Sequence, residues 1–124
     1  MTRIVYISGH LDVTEAEFAE HYEPRIRAAF EAGASFVVGD ARGADAMAQA
    51  FLKRLGCESV TVFHMFGKPR NNIGGFRTAS GFTSDEERDV AMTSASTEDL
   101  AWIRPGREKS GTAKNLARRT PKPV

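Results

Sequence analysis

The residues of this 124-residue chain that can do chemistry gather in a few short segments. Ser8-Gly9-His10 follows one apolar run. Gly39-Asp40-Ala41-Arg42-Gly43-Ala44-Asp45 follows a second. Arg104 to Thr112 follows a later one and contains Gly106, Ser110 and Gly111. A glycine-rich stretch carrying Lys68, Arg70, Asn71, Asn72 and Arg77 precedes Asp85, Arg88 and Asp89. Glycines let backbone N–H groups approach a phosphate, and a helix start adds partial positive charge. The turn from Gly39 to Asp45 is therefore one expected phosphate contact, with Arg42 as a bidentate anion clamp. Ser110-Gly111-Thr112 is the other, with Arg107 and Lys109 just upstream. Gly9 permits close approach of a ring or ribose, and His10 can donate to a ligand or act as an acid or base. Asp85 and Asp89 lie one helical turn apart and can face the same site.

Each segment also has an ordinary structural use. The first glycine turn can be a tight connection with Asp45 as helix cap and Arg42 paired to an acid. Ser110 can be a plain cap, with Gly111 serving packing alone. His10 can be a surface residue, and Asp85 and Asp89 can simply favour the dipole of a first turn. Several chemistries lack their pattern altogether. There is no Walker loop, no Gly-x-Gly-x-x-Gly and no Gly-x-Ser-x-Gly elbow. One cysteine and three scattered histidines (His10, His21, His64) give no metal site, and no cofactor is expected.

The elements that must position these segments follow from periodicity. Arg3 to Ser8 reads as a buried strand. Thr14 and Glu17 form a capping box, and Phe18, Tyr22, Ile26 and Phe30 mark one face of a helix that Pro24 bends and Gly33 ends. Ser35 to Gly39 is a second strand. A helix from about Ala44 to Leu55 turns Met47, Phe51 and Leu55 inward, and Gly56 stops it. Ser59 to Phe66 is a third strand. Gly67 to Phe82 has no periodicity and reads as a functional loop, a lid or an oligomer arm. Thr83 and Glu86 form a second capping box, opening a helix to about Ser96 with Val90, Met92 and Ala95 inward. Asp99 to Arg104 contains the fourth strand, and Ser110 begins a last helix. Alternation of this kind implies one α/β Rossmann-like three-layer domain over residues 1–119, with a mostly parallel sheet of four or five strands. Ligands bind such sheets beyond the strand carboxyl ends, which is where the four segments fall.

Composition is that of an ordinary soluble domain. No apolar run approaches the ~20 residues of a membrane span. A single cysteine fits a reducing, cytoplasmic setting. Charge is uneven. Residues 104–124 carry seven basic groups against one acid, a balance of +6, and residues 1–103 carry −5. Residues 120–124 read as a flexible basic tail. Such an end can attract nucleic acid, although a solvated last helix and tail is the plainer reading.

Val37-Val38-Gly39-Asp40-Ala41-Arg42-Gly43-Ala44-Asp45 resembles the Gly-x-x-x-Gly-Ala-Asp turn of small SLOG-superfamily proteins. Arg88-Asp89 and Ser110-Gly111-Thr112-Ala113-Lys114-Asn115 resemble the same group, which includes Lonely-Guy-type phosphoribohydrolases, nucleoside deoxyribosyltransferases, 2′-deoxynucleotide N-hydrolases and DprA-like proteins. The resemblance implies a nucleotide-like ligand and, as in many relatives, a homodimer. Hydrolase members carry Gly-Thr-x-x-Glu at the last helix start, and here the matching position is Asn115. An amide cannot serve as a carboxylate nucleophile. The expectation is therefore binding or sensing of a nucleotide or its derivative. The alternatives are an N-glycosidase using Asp85 or Asp89, and nucleic-acid binding through the basic end. The expected ligand contacts are Ser8, Gly9, His10, Gly39, Arg42, Gly43, Asp45, Arg70, Arg88, Arg104, Gly106, Ser110, Gly111, Thr112 and Asn115.

Overall fold

The computed structural model describes residues 2–65 and 67–119. Chain order is β1 (Ile4–Ile7), α1 (Glu15–His21), α2 (Glu23–Glu31), β2 (Ser35–Gly39), α3 (Ala44–Arg54), β3 (Val60–Phe63), β4 (Arg77–Ala79), α4 (Asp85–Ser94), β5 (Glu98–Leu100) and α5 (Gly111–Arg119). The five strands form one parallel sheet in the order β4-β3-β2-β1-β5. This is the expected Rossmann-like α/β architecture. The expected basic tail, residues 120–124, lies outside the described residues. Among the described residues no helix is long and apolar enough to cross a membrane.

Strand alternation assigns the two faces. Val5, Ile7, Phe36, Val38, Val60 and Val62 point to the side covered by α1, α2 and α3, where Phe18, Tyr22, Ile26, Phe51 and Leu52 complete the larger core. Tyr6, Val37 and Phe63 point to the other side and meet Met92 of α4. Both faces are buried, so the strands carry continuous apolar runs.

Several details differ from the sequence reading. The first helix does not bend at Pro24; it divides into α1 and α2 at Tyr22, with Pro24 in the first turn of α2, where its missing N–H costs nothing. The inward face of α3 is Ala44, Ala48, Phe51 and Leu52, and Met47 and Leu55 lie at its margin. The supposed loop from Gly67 to Phe82 contains a fifth strand, β4, beside β3. Ser84, not Thr83, caps α4, accepting the Glu87 N–H at 3.1 Å. Thr83 instead donates its N–H and hydroxyl to the Glu87 carboxylate. Met92 faces inward as expected, but Arg88 is buried with it, Val90 is 43% exposed and Ala95 lies on the surface.

Candidate functional site

Chain direction across the sheet reverses between β1 and β5: β2, β3 and β4 stack on one side of β1, and β5 alone lies on the other. Loops leaving neighbouring strands on either side of such a switch point diverge and leave a crevice. Here a cleft of about 290 Å³ opens there. Ser8 to Leu11 after β1, Gly39, Ala41 and Asp45 at the β2–α3 turn, and Arg107 to Asn115 around the α5 start form its walls. Tyr6 of β1 and Arg88, Asp89 and Met92 of α4 complete it.

The two helix starts in this cleft are built differently. At the β2–α3 turn two backbone donors are answered from within, while the Asp45 and Ala46 N–H groups find no acceptor among the described residues. Ala41 donates its N–H to Asp45 Oδ2 at 3.2 Å, and Ala44 donates to the His10 carbonyl at 3.2 Å. Gly43 caps α3 at φ +74°, in the left-handed region, and a Cβ there would lie 2.3 Å from the Leu11 carbonyl oxygen. Gly39 is bare because Asp45 occupies the space: a Cβ would meet Asp45 Oδ2 at 2.5 Å. Two carboxylates, Asp40 and Asp45, thus sit where the sequence suggested a phosphate. Arg42 is exposed, and neither it nor Gly43 lines the cleft. The charge of the two carboxylates opposes the anion expected at this turn.

Asp40 is 1% exposed. It accepts from the Arg70 N–H at 2.8 Å, from Arg70 Nε and Nη2 at 3.2 and 2.8 Å, and from Arg88 Nη1 at 3.3 Å. Burial works to raise its carboxyl, but the Arg70 hydrogen bonds and the two guanidinium charges outweigh burial and hold it below the usual carboxylate range. Arg70 is therefore spent on Asp40 and lies outside the cleft. The surrounding loop is docked onto the same turn. Gln49 donates to the Gly39 and Asn71 carbonyls at 3.0 and 3.1 Å and accepts from the Ile73 N–H at 2.9 Å. Among the described residues no side chain from 67 to 82 lines the cleft.

Arg88 is 7% exposed and spans Asp40, Asp85 and Asp89. Asp85 itself is exposed and outside the cleft, whereas Asp89 lines it. Burial pushes the Asp89 carboxyl up against the pull of Arg88. Burial also pushes Asp45 up, to about 7; the Ala41 N–H and Arg88 oppose this, and the neighbouring charges of Asp89 and Asp40 reinforce it. Tyr6 joins these two acids. Its phenol is raised by burial first and then by Asp89 and Asp45, and its hydroxyl has no hydrogen-bond partner among the described residues. The sequence reading passed over Tyr6, yet one signal was present: a polar-tipped residue one position from the end of an otherwise aliphatic strand.

The α5 start is open. Ser110 caps it, accepting the Ala113 N–H at 3.2 Å. The N–H groups of Gly111 and Thr112 find no acceptor among the described residues, and Thr112 itself is buried. The Ser8 hydroxyl, also buried and on the same cleft, is unpartnered too. Arg107 stands at the rim, with one long contact to Asp12 at 3.5 Å. Asn115 lines the cleft while its Oδ1 accepts from Arg118.

His10 and Arg104 have structural duties. His10 Nε2 accepts the Arg104 N–H at 3.0 Å, which fixes the proton on Nδ1. Burial, then Arg107 and Arg104, hold the ring below its ordinary value, so it is neutral. The Arg104 side chain donates to Glu17 at 2.9 and 2.7 Å and to Asp12 at 3.2 Å, away from the cleft, and draws the Glu17 carboxyl down to about 2. Gly106 sits in an exposed turn and does not line the cleft. Gly9 serves packing as well: a Cβ would meet the Tyr22 hydroxyl at 2.3 Å and Ala44 Cβ at 2.5 Å.

Of the expected contacts, the structure brings together Ser8, Gly9, His10, Gly39, Asp45, Arg88, Ser110, Gly111, Thr112 and Asn115, with Asp89 from the candidate acids. Fold and site together define a parallel α/β domain with a polar cleft at its switch point. Protein-family models, curated proteins and solved structures yield no match to this chain.

Proposed function

We propose that the cleft binds a nucleotide-like small molecule, with its phosphate on the α5 start. The open start carries the reading: two unanswered N–H groups, at Gly111 and Thr112, at the positive end of a nine-residue helix. The unpartnered Ser8 hydroxyl and the Arg107 guanidinium add donors in the same cleft. A volume of about 290 Å³ is at the small end of ligand pockets, which suits a mononucleotide better than a dinucleotide. On this reading the chain is a SLOG-type nucleotide-binding or sensing module. The test is mass spectrometry and calorimetry of the purified protein with nucleoside 5′-monophosphates. Retention of an intact nucleotide, weakened in Thr112→Val, supports the reading; no binding across the panel ends it.

A second reading is N-glycosidase activity on a nucleoside monophosphate. It is favoured by Asp89, a carboxylate with a raised proton affinity inside the cleft beside Tyr6. Asp85 drops out as its catalyst, because it lies outside the cleft. Free base released by the wild type and abolished in Asp89→Asn would establish the activity. Release unchanged in that variant would remove Asp89 from it.

A further inference from the structure

The acid side of the cleft has acceptor capacity that the protein does not use. Asp45 spends Oδ2 on the Ala41 N–H. Asp89 spends Oδ1 on Arg88 Nε and Nη2, at 3.4 and 3.2 Å. Among the described residues Asp45 Oδ1 and Asp89 Oδ2 have no hydrogen-bond partner, and both side chains line the cleft. The cleft thus has an electrical direction, with donors at the α5 start and acceptors at Asp45 and Asp89.

A ligand anchored by a phosphate on Gly111 and Thr112 must present donors to those two oxygens. If it did not, two charged acceptors would be stripped of water without compensation. In a cleft of about 290 Å³ the part of a nucleotide nearest its 5′-phosphate is the sugar. A ribose offers two adjacent hydroxyls, one donor for each oxygen. We infer that Asp45 and Asp89 read the 2′,3′-hydroxyl pair of a ribose, so that the cleft selects ribonucleotides over 2′-deoxyribonucleotides. This rests on the phosphate placement proposed above.

The test is calorimetry of the full chain at pH 8. The probes are ribose 5-phosphate, AMP and UMP, each against its 2-deoxy or 2′-deoxy counterpart. The expected result is a ribo form bound at least about tenfold tighter, the worth of a hydrogen bond to a charged group. The gap should shrink to about twofold or less in one of Asp89→Asn and Asp45→Asn, the variant that loses the partner of the 2′-hydroxyl, while the other weakens ribo and deoxy forms alike through the 3′-hydroxyl. Thermal melts identify which of these variants remains folded. Equal binding of ribo and deoxy forms would overturn this inference and leave the nucleotide reading standing. Affinity that follows the base amine, with AMP above UMP in both sugar forms, would also overturn it and assign the two carboxylates to an amine. Failure of every probe to bind would instead overturn the phosphate placement, and this inference with it.

Discussion

The α3 and α5 starts face the same cleft from glycine-bearing turns and each leaves two N–H groups unanswered among the described residues, at Asp45 and Ala46 and at Gly111 and Thr112, yet only the first carries a carboxylate. At α3 the protein's own Asp45 takes an N–H and the His10 carbonyl takes another. At α5 the Ser110 cap takes one, and Gly111 and Thr112 offer theirs outward. A glycine-rich turn before a helix is thus only permission for an anion site. What decides is whether the second residue of the helix is a carboxylate, as Asp45 is in α3, or neutral, as Thr112 is in α5.

The sharpest way to break this contrast is Asp40→Ala. It removes a buried carboxylate that Arg70 and Arg88 share and leaves Arg88 with two partial partners. Loss of about 3 kcal/mol in urea unfolding is expected, because a stranded buried charge costs that much. A loss under about 1 kcal/mol, the worth of an exposed pair, would show that the network does little to hold the β2–α3 turn.

Asp45→Asn sharpens the contrast through pH. The carboxyl titrates near 7 in the folded protein and roughly at 4 in the unfolded chain. Between those values the folded state holds a proton that the unfolded state has released, so stability falls as pH rises through the window. An asparagine keeps an acceptor for the Ala41 N–H and cannot ionise. The variant should match the wild type at pH 4 and exceed it at pH 8 by roughly 2 kcal/mol, discounted for water in the cleft. A constant difference at both pH values would deny Asp45 its raised proton affinity.

The smallest effect belongs to the open start. Ser110→Ala should cost about 1 kcal/mol, the worth of a cap, with no pH dependence. A larger loss would mean that more of the cleft depends on this turn than its hydrogen bonds indicate.

Periodicity and punctuation made most of the fold legible: the first strands, the capping box at Thr14, and the stops at Gly33 and Gly56 all correspond to observed elements. β4 was hidden because Arg-Thr-Ala is a short, half-exposed edge strand with no alternation to detect. The inward face of α4 was legible only at Met92: Arg88, one turn before it, is buried by its carboxylate partners, and periodicity assigns a charged residue to solvent. In the cleft, glycines and hydroxyls announced the right segments. Partner choice stayed hidden: that Arg70 would find Asp40 and Arg104 would find Glu17 depends on neighbours 30 and 87 positions away.

β5 is Glu-Asp-Leu, and only Leu100 is buried. Beside its backbone ladder to β1, its side-chain attachment is ionic, with Arg3 on Glu98 at 2.6 Å across a span of 95 residues. The β5–α5 unit therefore joins the rest of the domain along a seam with little apolar glue and a long loop to close, conditions that place a unit among the first to open in native-state hydrogen exchange. The cleft straddles that seam. Any molecule held between Asp45 and Gly111 would act as its staple, so occupancy should be readable as slowed amide exchange in α5 while α1 to α3 stay unchanged.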